Sequence, residues 1–73
     1  MKGIPPLTPV KSSNISAIGH DGSRLFIRFN GGGIYSYKGV SPDTYKAGLE
    51  AESVGKWFRS EISGKHEFLK HDA

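Results

Sequence analysis

Alternating apolar and polar positions are clearest between residues 14 and 38. Arg24–Phe29 places Leu25, Ile27 and Phe29 on one side and Phe26 and Arg28 on the other, which predicts a strand. Ile34–Lys38 alternates in the same way, with Tyr35 and Tyr37 sharing a side. Residues 14–20 read as a shorter strand. The Asp21-Gly22 pair that follows supplies the positive φ of a tight hairpin. Three strands joined by tight turns predict an antiparallel meander.

Helical signals take over after residue 40. Ser41 caps free amides, Pro42 suits the first helical position, and Asp43 favours the positive end of the dipole. Tyr45 and Leu49 lie four apart on one side of this helix. Ser53-Val54-Gly55 reads as a break or second cap. Residues 56–62 then form a second helix with Val54, Phe58 and Ile62 four apart and Trp57 beside that stripe. Ser63-Gly64 stops it. Residues 65–73 are polar and read as a frayed tail. At the other end, Pro5, Pro6 and Pro9 favour an extended arm with Ile4, Leu7 and Val10 as apolar contacts.

The predicted fold is therefore α+β. A three-stranded antiparallel meander (within a domain over 12–63) packs against two short C-terminal helices. A flexible arm covers residues 1–11 and a polar tail 64–73. The helices cover one face of the sheet and leave the other free for a partner.

The run Gly31-Gly32-Gly33 could cradle a phosphate or turn the chain. A phosphate loop needs GxxxxGK[ST] between a strand and a helix. Here the glycines lie between two strands with no Lys-Ser or Lys-Thr after them, so they read as a hairpin turn. His66 and His71, with His20 or Asp72, do not have the spacing of three or four that a helical ligand pair wants. No metal or other cofactor is expected. His20-Asp21 sits in a turn with no nucleophile placed near it, and no enzyme is expected.

Size and charge sharpen this picture. At 73 residues the chain is one domain, burying only roughly 60% of its unfolded surface. It has no cysteine, no membrane-length apolar run and no signal-peptide core, which predicts a cytoplasmic protein. The formal net charge of +3 suits an acidic partner, a nucleic acid or an acidic protein surface. Tyr35 and Tyr37, with Arg28 and Lys38 beside them, admit two readings. They stack single-stranded RNA on an open sheet face, or they belong to the core beneath the helices.

Ser12-Ser13-Asn14-Ile15, Ile18-Gly19, Leu25-Phe26-Ile27-Arg28-Phe29, Gly33-Ile34-Tyr35-Ser36-Tyr37, Val40, and Ala51-Glu52-Ser53-Val54-Gly55-Lys56-Trp57-Phe58 with Ile62 resemble the KTSC domain. That family takes its name from the C-terminus of some lysyl-tRNA synthetases and includes small stand-alone bacterial and phage proteins. RNA binding has been suggested for it. His20 stands where an aromatic residue is common and Arg59 where asparagine is common. The arm and tail lie outside the pattern. Over its whole length the chain is also similar to a lytic-phage member, a transcription regulator. That resemblance implies a monomer in the host bacterial cytoplasm that binds host RNA polymerase, inhibits initiation and promotes antitermination. The expected partner contacts are Lys11, Arg28, Lys38, Lys56 and Arg59, with Leu7 of the arm.

Overall fold

The computed structural model describes residues 4–71. In chain order the elements are β1 (Thr8–Pro9), β2 (Ile15–His20), β3 (Arg24–Phe29), β4 (Ile34–Lys38), α1 (Pro42–Glu50), α2 (Val54–Glu61) and β5 (Phe68–His71). All strands join one antiparallel sheet in the order β1-β2-β3-β4-β5. The three-stranded expectation is thus corrected. The central meander is present, but part of the arm and part of the tail each add an edge strand.

The turns form for the reasons legible in the chain. In the β2–β3 turn, Gly22 has φ 106°. Asp21 Oδ1 accepts from the Ser23 amide at 2.9 Å and the Arg24 amide at 2.8 Å. Those two amides hold the Asp21 carboxyl below its ordinary value. The glycine run turns β3 into β4, with Gly32 and Gly33 at φ 98° and 92°. Ser41 caps α1 through the Thr44 amide, and Ser53 caps α2 through the Lys56 amide, each at 3.2 Å.

One irregularity in β2 aligns the core. Ile15 pairs with Phe29 and Ala17 with Arg28, so Ser16 is an extra residue opposite β3. The bulge lets Ile15 and Ile18, three apart, both face the helices. Strict alternation would have separated them. They join Leu25, Ile27, Tyr37, Val40, Val54, Trp57 and Ile62 in one buried cluster.

Trp57 belongs to this cluster at 6% exposure, rather than lying beside the packing stripe. Its indole Nε1–H donates to the Thr44 carbonyl at 3.2 Å. Its ring lies so close to α1 that a Cβ on Gly48 would sit 2.6–2.7 Å from three ring atoms. Gly48, not the exposed Leu49, is therefore the buried residue of α1 that lies against the Trp57 ring.

Tyr37 is 6% exposed and packs edge-on against Phe58, with ring centroids 5.5 Å apart. Burial pushes its phenol pKa up, with the neighbouring Tyr35 adding to the shift.

Two outcomes follow from this packing. Gly48→Ala gains about 1 kcal/mol of helix propensity, but forcing a methyl into the indole costs about 1–3 kcal/mol. A net loss is expected, read as a melting temperature lowered by several degrees; a raised one would show that the two helices separate freely. For Tyr37, the folded state favours the neutral phenol. Stability is then intact below about pH 10 and falls as pH rises from there toward the raised folded value. Tyr37→Phe should flatten that alkaline decline in urea-midpoint measurements. Parallel declines in both proteins would show that Tyr37 ionises without penalty.

Candidate interaction surface

The sheet has an apolar set on each face. The helix face carries Ile18, Leu25, Ile27, Tyr35 and Tyr37. The opposite face carries Ala17, Gly19, Phe26, Arg28, Ile34 and Ser36, as strand register requires. Arg28 is exposed, as is Lys38 on the same face at the end of β4, and the rest of the set is buried. The expectation of a free face is corrected here: two cations flank ground that is mostly apolar and covered.

The arm supplies much of the cover. Leu7 lies directly over Gly19, where an added Cβ would stand 2.6 Å from Leu7 Cδ2 and from the Pro6 carbonyl. Ile4, Pro5, Leu7 and Pro9 line a hollow of about 580 Å³ with Ser16, Ala17, Arg28 and Ile34. The Val10 amide donates to the Ser16 carbonyl at 3.0 Å. From the other side His71 meets Phe26 at 5.6 Å between rings. A hydrogen bond of 2.8 Å joins His71 Nε2 to Ser36 Oγ, and Ser36 is 1% exposed. Described residues of the arm are thus packed rather than a loose extension. Residues 1–3, and Asp72 with Ala73, lie outside the described residues.

The expected contacts divide among four places. Leu7 and Arg28 share the arm hollow. Lys56 and Arg59 line an open groove of about 1000 Å³ between α1 and α2, whose other charged residues are Asp43, Glu52 and Glu61. Lys38 stands at the end of β4, with Nζ 3.8 Å from Glu67 Oε1. Lys11 is exposed between β1 and β2. Arg28 and Lys38 do share a sheet face. Arg28 is opposite Ile34, so four residues of β4, roughly 13 Å, separate the two cations.

Tyr35 and Tyr37 face the helices, as the core reading requires. Tyr35 is half-buried, edge-on to Phe29 at 5.4 Å and tilted against Phe68 at 5.7 Å. Tyr37 offers no open ring face.

The histidines hold the chain where it leaves the sheet. His20 Nδ1 accepts from the Gly22 amide at 3.0 Å, so Nε2 carries the proton it donates to the Val40 carbonyl at 2.6 Å. Its ring stacks on Tyr45 at 5.4 Å. His66 Nδ1 donates to the Lys38 carbonyl at 2.7 Å. These bonds draw the three histidines to separate backbone and hydroxyl partners. Among the described residues no group of His, Asp and Glu side chains is placed to hold a metal ion.

Sequence reasoning missed Phe68 and Leu69, the most exposed large apolar residues described, at 60% and 51%. The signal available was a short apolar pair beyond the Gly64 stop.

A family model and a solved structure agree on one family. The model of the KTSC domain matches residues 11–68. An uncharacterised protein of Stutzerimonas stutzeri is 32% identical over 59 residues, covering 78% of this chain and 83% of the relative. A protein of Tsukamurella paurometabola is 42% identical over 53 residues, covering 70% and 79%. The crystal structure of a KTSC domain protein from Yersinia pestis superposes with a TM-score of 0.88 at 35% identity, covering 92% of this chain and 97% of that one. No helix among the described residues is long and apolar enough to cross a membrane. The Tyr-x-Tyr pair at 35 and 37 and the capped Ser53–Phe58 segment therefore stand in a chain that belongs to the KTSC domain family.

Proposed function

We propose that this protein is a phage-encoded transcription regulator that works by binding host bacterial RNA polymerase in the host cytoplasm. The observation that supports this most is where the cations lie. Arg28, Lys56 and Arg59 are exposed on rigid strands and helices, around hollows that open to solvent. Cations carried on strands and helices suit an acidic protein surface, because docking then orders side chains without ordering backbone.

Inhibition of initiation follows if the occupied polymerase surface overlaps the σ-factor site. Antitermination follows if the bound protein favours the elongating conformation, since a ligand shifts only states it binds unequally. Leu7, Lys11 and Lys38 lie with Arg28 on the sheet side, apart from the Lys56–Arg59 groove, and supply a second contact there. A single-stranded RNA module built on Tyr35 and Tyr37 has weaker support, because Tyr37 is in the core and Tyr35 is half-buried against Phe29 and Phe68.

Gel-filtration co-elution with host RNA polymerase, with and without σ, tests the reading. Co-elution with loss of σ is expected; elution of the chain alone would overturn it. The folded double variant Arg28→Glu, Lys38→Glu should bind at least tenfold more weakly, about 1.4 kcal/mol. The pair Lys56→Glu, Arg59→Glu reports on the helix groove. Unchanged affinity in one pair would remove that surface from the contact.

A further inference from the structure

We propose that the outer edge of β5 is a docking strand for an extended segment of a partner protein in which apolar residues alternate with carboxylates. The inference rests on the reading of this chain as a binding protein, and locates one place where binding occurs.

The sheet ends in two unlike edges. At β1 the paired segment is two residues long, one of them Pro9, and Pro5 and Pro6 precede it. Proline has no amide to donate, so that edge is blunted against another strand. At β5 the four residues Phe68–His71 contain no proline and pair only with β4. In an antiparallel edge strand about half of the backbone amides and carbonyls point away from the sheet. Those of β5 can be met by an added strand.

Side chains beside this edge fit the same occupant. Register puts Phe68 on the helix face, opposite Tyr37, and Leu69 on the arm face, opposite Ser36. A sixth strand would cover both from the side, through its own cross-strand pairs. Phe68 also walls a hollow of about 560 Å³ with Tyr37, Ser63, Gly64, Lys65, His66 and Glu67, at the point where β5 begins. An apolar side chain entering along the edge finds a seat there. Glu67 is engaged by Lys38, while Lys65 and Lys70 have no ion-pair partner among the described residues. The edge therefore presents apolar surface with positive charge unmatched among the described residues, which selects carboxylates in the incoming segment. A second copy of the chain fits less well. It would bring the same lysines and another net charge of +3 to the seam.

The test uses the full chain and a fluorescein-labelled nine-residue peptide alternating valine and glutamate. Anisotropy titration should show saturable binding, at least tenfold tighter than for the valine–lysine counterpart. Two further peptides carry N-methyl groups, on every valine or on every glutamate. Each removes the donors along one edge of the peptide, and at least one should lose tenfold or more in affinity. The variant Phe68→Ala, Lys70→Glu, checked for an unchanged fold by circular dichroism, should also lose at least tenfold. Equal binding by all peptides, or none, overturns the proposal. So does sedimentation showing a peptide-free dimer whose β5 amides are protected from exchange, which would assign the edge to a second copy. The same variant in the polymerase co-elution keeps the two readings apart. If wild type co-elutes and the variant does so equally, the edge is not the polymerase contact. If wild type fails to co-elute, the polymerase reading falls and the peptide series alone decides the edge.

Discussion

The structure depends on one constraint: its central strand β3 is apolar on both faces. Leu25 and Ile27 on one side and Phe26 on the other are all buried. A sheet with two apolar faces needs two covers, and a chain of 73 residues has little material for them. The helices serve as one. The other is made of Leu7 and its neighbours in the arm, with His71 closing the far side. Both terminal segments are thereby drawn into the sheet, and the meander becomes five-stranded. Gly19 and Gly48 mark where the covers come closest. At each, backbone with no side chain admits a large neighbour, Leu7 in one case and Trp57 in the other.

Much of this was legible in the sequence, and the failures have physical reasons. The three-stranded meander, its two glycine turns and both serine caps are encoded locally, by alternation, positive φ and orphan amides. The second cover is not. Alternation puts Phe26 and Arg28 on one side of β3 and says no more about that side. Read with Ala17, Gly19 and Ile34, which register places beside it, it is an apolar patch. That register includes the Ser16 bulge, which no period-two count can find. β5 was missed because four residues carry too little periodicity, and their pairing with β4 is set more than thirty residues away in sequence. Trp57 falls beside the stripe only when positions four apart are counted. A helix packs positions three apart as well, and Trp57 is three from Val54.

The candidate contacts were legible in type more than in arrangement. Charge counting finds the cations, but only the fold shows that Arg28 and the Lys56–Arg59 pair border separate hollows rather than one patch. The core alternative for the tyrosines was right. Arg28 and Lys38 do share a sheet face, yet buried Phe26 and Ser36 lie between them. A ligand touching both must span apolar and polar ground, which suits a protein surface better than a phosphate backbone.

The two covers also differ in what they cost to disturb. The helix cover rests on a continuous core from Ile15 to Ile62 and on an indole held by the Thr44 carbonyl. The arm cover rests on Leu7, a two-residue strand and the Val10 amide bond. Few buried apolar contacts and few backbone bonds define the parts of a protein that open first. The arm is therefore the low-stability end of this fold, and opening it would uncover Phe26 and Ile34 beside Arg28. Partner surface and stability are linked on that face: whatever binds Arg28 also meets the arm, and its affinity includes the free energy of keeping the arm down or of replacing it.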